Sequence, residues 1–487
     1  MTAANTDIVI IGAGISGIGF GCHIAQNMPA KSFQILEGRD NPGGTWDLHR
    51  YPGIRSDSDM YTFGYRFKPW NKPKDISPAG DILDYLNETI DEFKLRDHIQ
   101  FGQSVIAANW SSSHKLWRLT VKDKASGQTR DIEARYVIAS TGYYDYNNPF
   151  IPQFPEMDKF TGPIIHPQLW PEDLDYSGKR VLLIGSGATA VTILPAMAGK
   201  TSHITMLQRS PSYMLPLPEQ SLFNRSLRAL LPEKMAHAVI WRKQVGLQRL
   251  LYRLCHHFPN MMSRYMKSQA RRLTEGKVDV DKHFTPHYKP WDQRLCYIPD
   301  GDFYKCLASG EASVVTDEIA HFSEDGVVLK SGDKIEADII ISATGLNVKI
   351  LQNFDISKDG EAVDTSQLLS YKGIMLSELP NMFPVIGYTA QSWTLKVDLA
   401  AQYFCKLVQQ MDAQGHKSVE PDKVDTEGQT LHGMFGRRIE SASYLQRSYD
   451  QVPKQIDSLP YGSHDMMQED SQLLSNKALD EQYLIFN

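Results

Sequence analysis

One short pattern occurs twice in this chain and constrains its fold more than any other feature. Residues 7–11 (Asp-Ile-Val-Ile-Ile) form an unbroken, β-branched run that ends at glycine. Such a run marks a strand buried on both faces of a parallel sheet. Gly12-Ala13-Gly14-Ile15-Ser16-Gly17 follows, then a helical pattern to about residue 27, a second strand over 32–36, and Glu37. Gly12 permits the tight strand-to-helix turn, Gly14 lets the backbone approach a pyrophosphate, and Gly17 lets helix pack closely on strand. The helix N-terminus presents free N–H groups to that anion. Glu37 stands about 20 residues after Gly17, where a carboxylate accepts hydrogen bonds from ribose hydroxyls. A glycine-rich turn without a ligand would not need strand, turn, helix, strand and acid in this register.

The second copy starts at a strand over 180–184 (Arg-Val-Leu-Leu-Ile). It continues through Gly185-Ser186-Gly187-Ala188-Thr189-Ala190 and a strand over 203–207, and closes on Gln208-Arg209-Ser210. Gly185, Gly187, Thr189, Arg209 and Ser210 are its candidate nucleotide contacts. Arg209 occupies the place that Glu37 has in the first copy. A carboxylate repels a 2′-phosphate, so the first site suits FAD or NAD. A guanidinium binds phosphate bidentately and keeps its charge, so the second suits NADPH. A solvated surface arginine is the plainer alternative for Arg209. Together the sites imply electron flow from NADPH to a flavin, and the FAD is inferred from that pairing.

The fold class that follows is α/β, with two Rossmann-like dinucleotide-binding domains, for FAD and NADPH, and a helical insertion. Residues 134–142 and 334–345 both read as strands closing on Thr-Gly, which return the chain between the two domains. This spacing predicts an FAD-binding domain from residues 1–149 and 336–487, the latter including the C-terminal tail. The NADPH-binding domain then covers 150–335, with its insertion at about 218–290. Residues 381–389 read as a buried strand and 395–411 as an amphipathic helix, with Ser392 and Trp393 at its start. Trp393 is either a packing aromatic or a contact to cofactor or substrate.

The insertion is unusual in charge. From 219 to 277 it carries twelve Lys or Arg against three Glu, a net +9, while the whole chain is −6. It is a helical layer with a solvated basic face, a lid over the substrate site, or a surface that rests on anionic lipid.

A chain of 487 residues, 41% hydrophobic and 22% charged, is an ordinary globular composition with room for about three domain-sized units. The net charge and the lack of zinc-finger spacing argue against nucleic acid as a partner. Five cysteines with no CxxC pair exclude a metal cluster, so no metal site is expected. Their odd number fits a reducing, cytoplasmic setting. Peripheral membrane contact through the basic insertion is the alternative. No secretory leader or long apolar span is read from the sequence. A disulfide reductase would need a cysteine pair after the first motif, and none lies between residues 23 and 254. A non-enzymatic flavin sensor would not need a second nucleotide fold.

Two further segments go beyond nucleotide binding. One runs Gly43-Gly44-Thr45-Trp46-Asp47-Leu48-His49-Arg50-Tyr51-Pro52-Gly53-Ile54-Arg55-Ser56-Asp57. The other holds Phe160, Gly162, His166, Trp170 and Pro171 just before the second glycine turn. With both motifs in place the chain resembles, over essentially its whole length, the type I Baeyer–Villiger monooxygenases of the class B flavoproteins, and within them the ethionamide-activating subgroup. The linker carries Pro167 where members often have Thr.

The resemblance implies FAD-binding roles for Gly44, Thr45, Trp46 and Asp57. It implies an active-site arginine at Arg294, paired with Asp57, and a coupling role for His166 between the domains. Gln293 stands where many members have Lys, which would leave more of the NADPH preference to Arg209. The implied reaction uses a flavin C4a-peroxide to insert one oxygen atom of O2 beside a hydrophobic ketone carbonyl, giving an ester or lactone. Oxygenation of nitrogen or sulfur, as in a sulfide, is the alternative. A purely structural ion pair is the plainer reading of Arg294 and Asp57.

Overall fold

The computed structural model describes residues 4–293, 295–351, 353–435, 442–475 and 481–487. Strand β1 (Ala4–Ile11) lies inside the first sheet, with β2 (Phe33–Glu37) parallel on one side and helix α1 (Ile15–Asn27) as the crossover. β3 (Ile99–Phe101) extends the sheet beyond β2. On the other side β4 (Gln103–Ser111), β5 (Leu116–Asp123) and β6 (Thr129–Ala139) form an antiparallel meander that ends with β6 parallel to β1.

The hydrophobic run of β1 is used on both faces, because successive side chains of a strand point to opposite sides. Ile8 and Ile10 join the core that holds α1, and Val9 and Ile11 join the core under the meander with Trp110 and Trp117. Each such side chain contributes about 1.5–3 kcal/mol by leaving water.

The second sheet is built from β7 (Ile164–Ile165), β8 (Arg180–Ile184), β9 (His203–Gln208), β10 (Ala312–Thr316) and β11 (Ile339–Ser342). All run parallel, in the order β10-β9-β8-β11-β7, and helix α2 (Ala188–Met197) crosses from β8 to β9. After β9 a parallel pair, Met214–Leu217 with Cys296–Pro299, brackets the insertion. Its main helices are α3 (Leu222–Leu230), α4 (Glu233–His257) and α5 (Pro259–Leu273). The chain then returns to the first sheet through β12 (Met382–Pro384), which pairs with β6, and α6 (Trp393–Gln414), which packs on α1.

Four expectations change. The strand expected over 334–345 is two strands. Lys334–Glu336 belongs to a small antiparallel sheet, and β11 to the second parallel sheet. Asp338 breaks the run: its carboxylate takes the Arg180 guanidinium and the Arg180 N–H at the start of β8. A boundary at 335/336 therefore falls short, since the second sheet keeps the chain through Ser342. The buried strand expected over 381–389 shrinks to Met382–Pro384, which starts after Asn381 at φ +53° and whose pairing with β6 ends on the Val385 N–H to the Ala139 carbonyl at 3.0 Å. The helix expected from 395 begins two residues earlier, at Trp393. Among the described residues, no helix is long and apolar enough to cross a membrane.

Candidate active site

The first glycine turn is closed by backbone contacts that leave no room for side chains. A Cβ on Gly17 would lie 1.9 Å from the Gly12 carbonyl oxygen, and one on Gly12, at φ +100°, would lie 2.6 Å from the Ser140 oxygen. Glu37, at the end of β2, is buried. Its carboxylate accepts the N–H of Ala13 at 2.7 Å and of Arg39 at 2.9 Å. Burial still holds its pKa above the usual carboxylate value. The Gly43–Trp46 segment sits on this turn: Gly43 N–H donates to Ala13 O at 2.9 Å, and a Cβ on Gly44 would come within 3.0 Å of the Gly14 Cα. Thr45 hydrogen-bonds the Tyr146 hydroxyl at 3.3 Å, and Trp46 packs edge-on against Phe63. This backbone cradle fits the pyrophosphate and ribose of a dinucleotide.

Trp393 lies against the same turn. Its indole N–H donates to Ser16 Oγ at 2.9 Å and its ring stacks on Tyr143. It therefore packs and touches the first site at once.

The second glycine turn opens on a cavity of about 880 Å³. Gly185, Gly187, Thr189, Arg209, Ser210, His166 and Gln293 all line it. A Cβ on Gly187 would meet open space, so its backbone is free to receive a ligand. Arg209 is exposed, and among the described residues no carboxylate takes its guanidinium. Glu318 shares the wall, but Lys330 neutralises it at 2.6 Å.

The linker motif has separate structural tasks. Phe160 is buried under the second sheet, and a Cβ on Gly162 would lie 2.5 Å from the Asp338 carbonyl oxygen. His166 accepts the Gln168 N–H on Nδ1 and donates from Nε2 to the Gly345 carbonyl, both at 3.2 Å. That pattern requires the neutral ring, and burial lowers its pKa to suit. The ring thus ties the linker to the chain just beyond β11. Pro167 occupies the first position of a single 3-10 turn, where its fixed φ is an advantage. Trp170 packs on the core of the second fold, next to Pro171.

A second, small cavity of about 40 Å³ lies where the first fold meets the insertion. Asp57, Gln248, Trp291, Leu295 and Ser392 line it. Asp57 thereby shares a cavity wall with Trp291 and Leu295, three residues before and one after position 294. Arg294 itself lies outside the described residues. Trp291 holds a left-handed φ of +79°, a conformation that costs about 1–3 kcal/mol and collects at functional sites. Gln248, from α4, donates to Asp59 at 3.0 Å, Thr62 at 2.9 Å and Ser392 at 3.3 Å. Burial raises Asp59 to about 6.

The sequence motifs did not point to Gln248, nor to Arg447, which stacks on Phe150 with 3.6 Å between guanidinium carbon and ring centre at the 880 Å³ cavity. Both come from segments remote in the chain, and neither carries a local pattern.

The family described as flavin-binding monooxygenase-like matches residues 71–413. The chain belongs to that family. An NAD(P)-binding Rossmann-like domain matches residues 10–86. Among relatives, the chain is 45% identical over 484 residues to the "Probable FAD-binding monooxygenase AlmA" of Acinetobacter baylyi, covering 99% of this chain and 96% of that protein. It is 43% identical over 482 residues to the "FAD-containing monooxygenase EthA" of Mycolicibacterium smegmatis, covering 99% and 96%. Its fold is that of an ε-caprolactone-bound cyclohexanone monooxygenase, with TM-score 0.77, 20% identity and full coverage of both chains. The protein is thus a flavin-binding monooxygenase that uses FAD and NADPH.

Proposed function

We propose that this monooxygenase inserts one oxygen atom of O2 next to the carbonyl of a hydrophobic ketone, linear or arylated. The products are an ester or lactone, water and NADP+. The observation that carries the reading is the small cavity that Asp57 lines together with Trp291 and Leu295, which stand three residues before and one after Arg294 in the sequence.

FAD is assigned to Gly12, Gly14, Gly17, Glu37 and Gly44–Trp46, and NADPH to Gly185, Gly187, Thr189, Arg209 and Ser210. Bound FAD, reduced by NADPH, supplies the activated oxygen. The protein's part is electrostatic. Arg294 stabilises the negative charge that develops on the substrate oxygen, and being permanently protonated it neither gains nor loses a proton in the reaction. Asp57 orients that guanidinium and offsets the cost of burying it. Trp291, Leu295 and Tyr297 exclude water from the reacting atoms. His166, fixed neutral between the linker and Gly345, transmits movement of one fold to the other.

A product assay tests the reaction. Enzyme, NADPH, air and phenylacetone or 2-octanone are expected to give an ester one oxygen heavier than the ketone, read by gas chromatography–mass spectrometry. Oxygenation of sulfides or amines, with no ester from any ketone, would overturn the ketone assignment.

Arg209→Ala is expected to raise the KM for NADPH about tenfold or more, the worth of a charge-assisted phosphate contact. The KM for NADH should hardly change. Steady-state kinetics with both nucleotides check this, and equal losses for the two would mark damage to the fold instead.

A further inference from the structure

The insertion carries a surface that is both apolar and basic. Sixteen large hydrophobic side chains are exposed among the described residues, and ten of them lie between Leu222 and Tyr265. Single exposed apolar residues are normal, but such clustering marks an interaction surface. Leu222 and Leu230, at the two ends of α3, are 77% and 79% exposed. Phe258, just before α5, and Met261 and Tyr265 on it follow at helical spacing.

The cations sit among them. Arg225, Lys234, Arg242, Arg249, Arg253 and Arg264 have no carboxylate partner among the described residues. The stretch from 219 to 277 is +9 in a chain of −6, so the rest of the molecule is −15. This positive charge is confined to the element that is also apolar.

Helix α4 shows how the face is arranged. Met235, Val239, Arg242, Leu250 and Arg253 fall on one stripe at a period of about 3.6. All five are exposed. His237, Ile240, Tyr252 and Cys255 on the other side are buried. Gln248, also on that inner side, reaches Asp59, Thr62 and Ser392 at the small cavity. One helix thickness, about 10–12 Å, therefore separates the exposed stripe from the cavity wall.

We propose that α3–α5 form a docking surface for an anionic lipid bilayer, with the apolar side chains entering the interface and the cations meeting lipid phosphates. Lipid satisfies both features at once, whereas an acidic protein surface would leave the apolar side chains exposed. Docked in this way, α4 lies between the bilayer and the small cavity, and an apolar substrate dissolved in lipid has a short route to it.

Vesicle co-sedimentation of the holoenzyme tests the proposal. The protein is expected to sediment with vesicles of phosphatidylcholine mixed with phosphatidylglycerol and to stay free of pure phosphatidylcholine. Raising salt from about 0.1 M to about 1 M shortens the screening length from about 10 Å to about 3 Å and should release it. Two double variants, Arg242→Glu with Arg253→Glu and Met235→Ser with Leu250→Ser, should each lower vesicle partition about tenfold or more. These side chains are exposed and lie outside the nucleotide sites. NADPH oxidation and the unfolding midpoint should therefore stay unchanged. Absence of sedimentation with the anionic vesicles at low salt would overturn the proposal. So would equal partition of wild type and both variants, or a dimer that both variants dissociate without any capture by vesicles.

Discussion

Gly17→Ala is expected to give a protein without flavin colour and at least about 3 kcal/mol less stable, beyond the usual range for overpacking. The added methyl carbon would sit 1.9 Å from the Gly12 carbonyl oxygen, 3.1 Å from its carbon and 3.3 Å from the Ile10 side chain. The first two are backbone atoms, so no rotamer change relieves the clash. Helix α1 must move away from β1, and the N–H groups at its start move with it. Those groups, with Gly43–Gly44 packed on them, form the cradle assigned to FAD.

Gly246→Ala is the matched control. It makes the same chemical change in a helix, at an exposed position where a Cβ meets nothing within 4 Å. There the substitution should stabilise by about 0.5–1 kcal/mol, the helix preference of alanine over glycine. Flavin absorbance and thermal unfolding of the two variants check the contrast. A yellow, stable Gly17→Ala protein would mean that helix and strand are not held as closely as this geometry requires.

The same contrast explains what could be read from the sequence. Both strand-turn-helix units were legible because every residue that defines them is local, and their glycines answer to contacts within one turn. Glu37 and Arg209 were legible for the same reason, as the residues that end β2 and follow β9. The meander was not. Only the end of β6 stood out in the sequence; β4 and β5 mix buried and half-buried positions and owe their place to Trp110 and Trp117 meeting in the core. β11 looked like the first fold's strand until its pairing partners, β7 and β8, showed otherwise; that choice depends on contacts across more than a hundred residues of chain. Gln248 belongs to the same class. Its position in α4 is ordinary by sequence, and only the docking of that helix on Asp59 and Thr62 brings it to the cavity. Composition showed that the insertion was basic and apolar, but not that those side chains face outward.

Arg294→Ala is expected to leave NADPH-driven flavin reduction intact and to abolish ester formation, with NADPH consumption ending in hydrogen peroxide. Flavin reduction and oxygen insertion draw on different residues. Hydride transfer depends on how the two nucleotide cradles hold their ligands, and position 294 adjoins Gln293 at the edge of one of them. Oxygen insertion places negative charge on the substrate, and removing one fixed donor at such a site costs about 10²–10³ in rate. Loss of a full guanidinium should cost at least that.

Asp57→Asn then decides between the catalytic reading and a structural ion pair. If Asp57 only orients Arg294, the amide should retain part of the ester yield, because the charge that does the chemistry remains. If the pair simply holds the insertion against the first fold, both variants should lose stability together, by the roughly 3–5 kcal/mol that breaking a buried pair costs. Flavin reduction would fall in parallel. Rapid-mixing measurement of flavin reduction, ester yield and the unfolding midpoint on the two variants distinguishes these outcomes. Parallel loss of all three would remove Arg294 from the chemistry and leave the small cavity as a joint between the first fold and the insertion.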